Sequence, residues 1–383
     1  MSTLDRSQPP ASGAIRSFDF PDTDRVELEN GLDLRVARIA RLPLVSLDLF
    51  IRGGEQQLPS ERAGLAVLAA EALDGGTRTR SGTELAEALE GLGARASAYA
   101  GWEGTTVSLT CLADRLAEAF PLVAEMVMEP DFPAGEVDRA REQRLASIRQ
   151  RAMDPAALAS DRALERYYAP GVPYARPVGG LEGSVEAMSR QTLLGYAEAA
   201  YRPGNRGGLV VAGDVETGEV ADLVRHHMGD WTGTSAPGTP VPVKPATTAR
   251  RVTVVHRPGS VQSEIRVGHV GAERATLDYF PLVVGNLLFG GTFTSRLNLN
   301  LREKHGFTYG VRSRFFFRSE PGPFQVSTAV ANDVTAPAVR EILGEMERLV
   351  EGGPTEDEVA STRDFAAGVF GLQIETVDQI ATR

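Results

Sequence analysis

The stretch AGLAVLAAEALDGGT, residues 63–77, decides how the first half of the chain is interpreted. It is rich in alanine and leucine, it ends in a glycine pair, and Glu71 is its only charged residue before Asp74. Apolar residues occupy most faces of the helix that this pattern describes, and helices of that kind are buried. The stretch therefore predicts a core helix over about 61–73 with almost no reactive side chains.

The elements around this helix recur in the same order in the second half of the chain. In the first half the order is a strand at 43–54, the apolar helix, a helix capped by Ser81 and Glu84, a hairpin around 101–104, and helices from 114 and 133. In the second half it is a strand at 261–271, an apolar helix at 277–292, a short helix at 295–304, a hairpin around 321–323, and helices from 334 and 355. Two copies of this length indicate domain duplication.

Residues 232–249, TGTSAPGTPVPVKPATTA, have the composition of a linker. They separate a first domain at 1–231 from a second at 250–383. Hairpins and helices occur in blocks without strict βαβ alternation, which favours an α+β fold of two homologous domains, each a mainly antiparallel sheet covered by helices. The second copy stops inside its last helix, so we expect it to be truncated.

Composition excludes several classes of partner. The net charge is −11 and the pI about 5.1, which disfavours binding to nucleic acid or to an anionic membrane. No apolar run approaches the length of a membrane span, and the N-terminus lacks the apolar core of a signal peptide. We therefore expect a soluble cytoplasmic protein that contacts neither nucleic acid nor membrane.

Common catalytic motifs are absent from the sequence. It contains no G-x-S-x-G, no phosphate-binding G-x-x-x-x-G-K-[ST], and no pair of histidines spaced H-x-x-H. LREKHGFTYG remains, with Arg302 in the last turn of a helix, Gly306 just after it, and Tyr309 predicted to start a strand. A guanidinium and a phenol on one turn suit a carbonyl oxygen or an oxyanion. Local pattern alone favours a structural role, in which Arg302 complements the helix end and Tyr309 packs in the sheet.

Several segments in order, covering nearly the whole chain from Val26, resemble the pitrilysin, insulinase and mitochondrial processing peptidase family of zinc peptidases. The matching segments are VELENGLDLRVAR, RGGEQQLPSERAGLA, GGTRTRSGTELAEALEGLGA, YARPVGGLEGSVEAMSRQTLLGYAEAAYRPGN with the following GGLVVAGDV, and FGGTFTSRLNLNLREKHGFTYGV. The resemblance implies the processing-peptidase-like fold and, in the opening helix, the family's zinc motif H-x-x-E-H.

That motif is degenerate in this chain. The resemblance places the first histidine at Val67, the glutamate that activates water at Ala70, and the second histidine at Glu71. The third ligand falls near Ser147. We therefore expect this chain to bind no metal and to hydrolyse no peptide by itself.

The resemblance preserves the other half of the family's site. Family members carry an Arg and a Tyr spaced as Arg302 and Tyr309 are, which contact substrate near the scissile carbonyl, and some divide the zinc site and this pair between two chains. The segment at Gly290, Gly291 and Thr292 resembles a loop that non-zinc subunits place near substrate, although a plain turn between helices explains it equally. The resemblance implies a heterodimer with a zinc-bearing homologous subunit and a peptide or unfolded polypeptide substrate. The alternative is a non-enzymatic scaffold or peptide-binding homologue.

Overall fold

A computed structural model describes residue 13 and residues 18–204, 207–234 and 242–383. Residues 235–241 of the predicted linker lie outside the described residues. The strands are β1 (Asp24–Glu27), β2 (Asp33–Arg38), β3 (Leu44–Arg52), β4 (Arg95–Ala100), β5 (Gly104–Leu112), β6 (Gly208–Gly213), β7 (Gln262–Val270), β8 (Val311–Phe315) and β9 (Pro323–Ala331).

The predicted helices occur in the predicted order, but the helix at Pro155–Tyr167 was not predicted, and the predicted last helix from Thr355 to the chain end is two helices. The helices are α1 (Leu65–Glu71), α2 (Gly82–Gly91), α3 (Leu116–Met128), α4 (Ala134–Met153), α5 (Pro155–Tyr167), α6 (Glu182–Glu186), α7 (Arg190–Ala200), α8 (Thr217–Met228), α9 (Tyr279–Asn286), α10 (Thr335–Gly352), α11 (Glu356–Leu372) and α12 (Val377–Ala381). Two π-helical segments, Leu287–Gly291 and Asn298–Lys304, lie between α9 and β8. Among helices in the described ranges, none combines the length and apolar character needed to cross a bilayer.

The strands form two sheets. The first has the order β1-β2-β6-β3-β5-β4, in which only β2 and β6 run parallel. The second has the order β7-β9-β8 and is antiparallel throughout. This order matches β3-β5-β4 of the first sheet, with a helical segment inserted at the same point of the chain. The predicted α+β fold with two related domains is confirmed, whereas the domain limits at 1–231 and 250–383 stay a prediction.

The helix that contains the opening stretch is buried but shorter than predicted. Helix α1 spans seven residues between short 3-10 turns. Its first amides are held by the fully buried carboxylate of Glu55, which accepts hydrogen bonds from the backbone N–H groups of Gly64 and Ala66, each at 2.9 Å. The Arg176 guanidinium donates to the same carboxylate at 2.9 Å. A buried anion at a helix N-terminus, itself neutralised by an arginine, fixes where α1 begins.

Each sheet has a face that is covered by the other half of the chain. Helix α5 packs on β7, where Arg266 donates to the Ser160 hydroxyl at 3.0 Å and to the Ala156 carbonyl at 2.8 Å. Conversely, α12 packs on β3 and β6, and Ile374 and Ile380 join a small apolar cluster on the first sheet. The two domains are therefore joined by reciprocal packing.

We expect Gly268→Ala to weaken the packing of α5 against β7. A methyl group at Gly268 on β7 would lie 2.3 Å from the Phe324 carbonyl oxygen and 2.6 Å from the Tyr167 hydroxyl. The strand and helix must move apart to avoid this overlap, and such overpacking should destabilise the fold by about 1–3 kcal/mol. Equilibrium denaturation measures the change. The control is Gly195→Ala in α7, where a methyl group meets nothing within 4 Å and should be neutral or stabilising. Equal stability of the two variants would contradict the prediction.

Candidate functional site

The place that the resemblance assigns to zinc holds an ion pair. Val67 and Ala70 are buried on α1 and carry no ligand atom. Glu71, the one potential ligand left on α1, accepts a hydrogen bond from Arg144 Nε on α4 at 3.0 Å and pairs closely with its Nη2. Burial lowers the pKa of Arg144, but an arginine side chain stays protonated and positively charged at neutral pH. An arginine charge therefore neutralises Glu71.

Ser147, the position assigned to the third ligand, lies one turn beyond Arg144 on α4. Its hydroxyl donates to the Gln143 carbonyl of its own helix at 3.0 Å. Among the described residues, no cluster of three or more histidine, cysteine, aspartate or glutamate side chains could hold a metal ion. The donor set at Val67, Ala70, Glu71 and Ser147 does not fit a zinc ion, which needs about three protein ligands.

Arg302 and Tyr309 flank a tight turn, as predicted. Gly306 adopts φ +64°, and the Phe307 N–H donates to the Leu301 carbonyl at 2.8 Å, which ends the helical segment. The Arg302 guanidinium carbon lies 3.8 Å from the centre of the Phe293 ring, and Arg302 Nη1 is 3.0 Å from Glu303. Tyr309 is 96% exposed. The two side chains form no hydrogen bond with each other within the described part of the chain.

Tyr309 does not start a strand, because the turn keeps it outside the sheet. The Gly310 N–H donates to the Thr308 hydroxyl at 3.1 Å, and that hydroxyl donates to the Gly310 carbonyl. The first strand residue is Val311, two positions later than predicted. The local turn thus lifts Tyr309 clear of β8 and exposes its hydroxyl.

The Asn298 side chain bonds to residues on both sides of the helical segment Asn298–Lys304, and sequence reasoning missed it. Its buried amide nitrogen donates to the carbonyls of Thr292 and Val311 at 3.0 and 2.9 Å, and its oxygen accepts the Val311 N–H at 3.2 Å. One side chain therefore holds Thr292 and the start of β8 in place relative to the helical segment. The signal available in the sequence was an asparagine inside an otherwise leucine-spaced helix, at Leu297-Asn298-Leu299.

The glycine-rich segment divides into a packed part and an exposed part. A methyl group at Gly290 would lie 2.6 Å from the Ser313 hydroxyl oxygen on β8, so this glycine permits close helix-to-sheet packing. Gly291 is exposed, and the Thr292 hydroxyl donates to the Leu287 carbonyl at 3.3 Å. Gly291 and Thr292 are thus the accessible positions of the predicted substrate loop.

Strand β4 borders α1 and forms the edge of the first sheet. No strand among the described residues pairs with its outer side, so backbone groups there are available for hydrogen bonding to an extended chain. The sequence predicted the hairpin that contains β4, but sheet order is not readable from local pattern. The position that the resemblance assigns to zinc therefore lies beside the edge of this sheet.

An ion pair anchors the helical segment that carries Arg302. Arg296, one residue before Leu297, donates to both carboxylate oxygens of Glu358 at 2.7 Å, and its Nη2 donates to the Gly353 carbonyl at 3.0 Å. Glu358 also completes the predicted capping box with Thr355. Hydrogen bonding from Arg296 lowers the pKa of Glu358 from 4.5 to about 2.

This pair predicts a pH-dependent contribution to stability. A carboxyl whose pKa is lower in the folded state stabilises the fold above its unfolded pKa and loses that effect as the pH falls through the folded pKa. Because Glu358 is about one-third exposed, we expect Glu358→Gln to cost only about 1 kcal/mol above pH 5, shrinking towards pH 2. Denaturation curves across this pH range measure it. The exposed Glu356→Gln serves as the control, and a pH-independent difference between Glu358→Gln and the parent would exclude the interpretation.

Solved structures share this architecture. A peptidase M16 inactive domain from Pseudomonas fluorescens aligns with a TM-score of 0.83 and 24% identity over 94% of each chain. A protease from Helicobacter pylori aligns with a TM-score of 0.87 and 19% identity, over 94% of this chain and 88% of that one. At these identities the likeness shows the fold.

Sequence relatives and family models agree with it. An uncharacterized zinc protease of Mycobacterium bovis is 26% identical over 355 residues, covering 92% of this chain and 80% of that protein. One of Bacillus subtilis is 21% identical over 361 residues, covering 94% of this chain and 86% of that protein. Residues 38–171 match the model of the insulinase family, peptidase family M16, and residues 187–365 match that of the peptidase M16 inactive domain. The chain belongs to the insulinase, or M16, peptidase family.

Proposed function

We propose that this chain is the non-zinc subunit of a heterodimeric zinc metallopeptidase. The observation that carries the proposal is the ion pair of Glu71 with Arg144 where the family holds zinc, combined with a turn that carries a half-buried Arg302 and an exposed Tyr309. In this division of labour the partner subunit supplies the metal and its ligands. This chain binds peptide and directs its two donors at the scissile carbonyl oxygen.

The exposure of the turn supports a role in binding. Tyr309 is 96% and Phe293 65% exposed, and the Arg302 guanidinium stacks on Phe293. Large apolar side chains grouped on a surface mark places where a ligand or another protein binds. Arg302 Nη1 lies 3.0 Å from the Glu303 carboxylate, yet it is buried and makes no hydrogen bond to any described residue.

The open edge of β4 supports recognition of an extended or unfolded polypeptide. Backbone groups at such an edge bind a peptide as an added strand, with little dependence on its side chains. When zinc is bound by the partner, it activates water and polarises the carbonyl. The residues of this chain then hold the peptide and stabilise charge that develops on the carbonyl oxygen.

The purified chain should bind no stoichiometric zinc. The Glu71 carboxylate forms an ion pair with Arg144. The side chains at Val67, Ala70 and Ser147 supply no second zinc ligand. After equilibration with zinc chloride and removal of free metal, mass spectrometry of the metal content should find far less than one zinc ion per chain. A relative with an intact H-x-x-E-H motif is the positive control. One zinc ion per chain would contradict the proposed division of labour.

Cleavage by the assembled heterodimer should depend on Arg302 and Tyr309. With a zinc-bearing homologue supplied by co-expression, Arg302→Ala and Tyr309→Phe should each lower kcat by about 10²–10³-fold, as loss of one oxyanion donor does. The measurement is cleavage of an unstructured peptide by purified complexes. Arg340→Ala, which removes an exposed arginine on α10, should leave kcat unchanged.

Two outcomes would contradict the mechanism. Full activity in both variants would remove the two side chains from the reaction. Isolation of the native chain as a homodimer or in a complex without a zinc peptidase would favour the alternative of a non-enzymatic, peptide-binding homologue.

A further inference from the structure

The two domains meet at a cluster of aromatic side chains around one arginine. The turn between β8 and β9 brings the Arg318 guanidinium carbon to 4.2 Å from the centre of the Tyr174 ring and 4.8 Å from that of Trp102. Beside it, the Ser319 hydroxyl hydrogen-bonds to Gln56 at 3.2 Å, and the Ser319 N–H donates to the Glu103 carboxylate. The β8–β9 turn of the second domain thus contacts the first domain through ring stacking and hydrogen bonds.

A cleft of about 590 Å³ opens next to this contact. Trp102 and Tyr279 line it together with three arginines, Arg274, Arg314 and Arg318, and a phenylalanine run at 315–317. This volume accommodates one or two amino-acid side chains, and apolar walls with few polar groups are usual for ligand sites. Neither the Arg302 turn nor the degenerate zinc position contributes a lining residue.

The arginines of the cleft are held by aromatic rings. The guanidinium carbon of Arg274 lies 3.6 Å from the centre of the Tyr279 ring, and that of Arg314 lies 4.9 Å from that of Phe316. Stacking uses the faces of a guanidinium and leaves the N–H groups on its edge available for an anion. Aromatic contacts therefore orient the arginines without consuming their hydrogen-bond donors.

Positive charge in the cleft is incompletely balanced. Glu103 is the only carboxylate among the described residues that line it, and it already accepts the Ser319 N–H. Arg318 Nη1 is buried and has no hydrogen-bond partner within the described part of the chain. Burial also lowers the pKa of Arg318, which reflects the cost of holding its charge away from water. An anion bound in the cleft near the Arg318 guanidinium would offset that cost by charge attraction.

We propose that this cleft binds a carboxylate carried beside an aromatic or other large apolar group. The arginine edges bind the carboxylate, in which two parallel N–H···O bonds give both strength and orientation. The aromatic walls bind the neighbouring apolar group. Resting on the proposed function, the inference adds a preference: peptides with a C-terminal carboxylate, or an acidic side chain, next to an apolar residue.

The position of the cleft fits a peptide held at the sheet edge. Trp102 follows the last residue of β4, Ala100, by two positions. The backbone reverses direction between Ala100 and Gly104, where the Gly101 N–H donates to the Gly104 carbonyl at 2.9 Å. Trp102 therefore lies in the turn that joins β4 to β5, and the cleft borders this turn. A peptide paired with β4 would therefore have one end near the cleft.

The first experiment tests the cleft alone, with small probes. Titration of the purified chain with N-acetyl-phenylalanine should change tryptophan fluorescence saturably, since Trp102 lines the cleft while Trp231 is buried in the core. N-acetyl-phenylalaninamide, which lacks the carboxylate, should bind at least about tenfold more weakly. The double variant Arg274→Gln/Arg314→Gln should lose this preference, and its two exposed positions preserve folding, which circular dichroism verifies. The control Arg363→Gln removes an exposed arginine on α11 and should change nothing.

Equal binding of acid and amide, or a preference that survives in the double variant, would overturn the proposal. The second experiment distinguishes the source of the carboxylate with labelled unstructured peptides, by comparing Phe-Asp with Phe-Asn inside the peptide and a free with an amidated C-terminus. Peptides that bind without any acid preference would refute the inference and leave the proposed function standing. Binding of the small acid without binding of any peptide would refute the proposed function and confine the cleft to small carboxylates.

Discussion

The reciprocal covering of the two sheets is the constraint on which the rest of the structure depends. A sheet buried on one side by its own helices still exposes its other face, and here each such face is covered by a helix from the other half of the chain. On β7 the cover is α5, joined through Arg266 to Ser160 and Ala156. This packing sets the relation between the domains, and it brings the β8–β9 turn onto Trp102 and Tyr174.

Two arginine–glutamate pairs explain how α1 keeps its place in the fold without metal chemistry. At its start Glu55 is fully buried with Arg176, and the carboxylate also accepts backbone N–H groups, as a buried charge requires. At its end Glu71 pairs with Arg144 nearer the surface. Because both carboxylates are neutralised within the chain, the helix needs no cation for its position.

Features set by neighbouring residues could be predicted from the sequence, and those set by distant ones could not. The capping boxes at Ser81 and Thr355 and the left-handed Gly306 depend on residues within one turn, and the structure contains all three. Arg144 pairs with Glu71 although 73 positions separate them in the sequence, so no local pattern reveals this ion pair. Tyr309 was misplaced by two residues because side-chain bonds within its turn outweigh the β propensity of the segment.

The exposure of Tyr309 limits what the Arg302 and Tyr309 pair can do in the chain alone. Donors in water stabilise a developing oxyanion weakly, because water competes for both the donor and the anion, whereas the same donors are far stronger in a dry site. The Tyr309 phenol lies in solvent, and Phe293, on which Arg302 stacks, is also exposed, so this part of the turn lacks that dry surrounding. Something must cover the turn before the pair can contribute to catalysis. In the proposed function the cover is the partner subunit with bound peptide, so assembly itself would activate the two side chains.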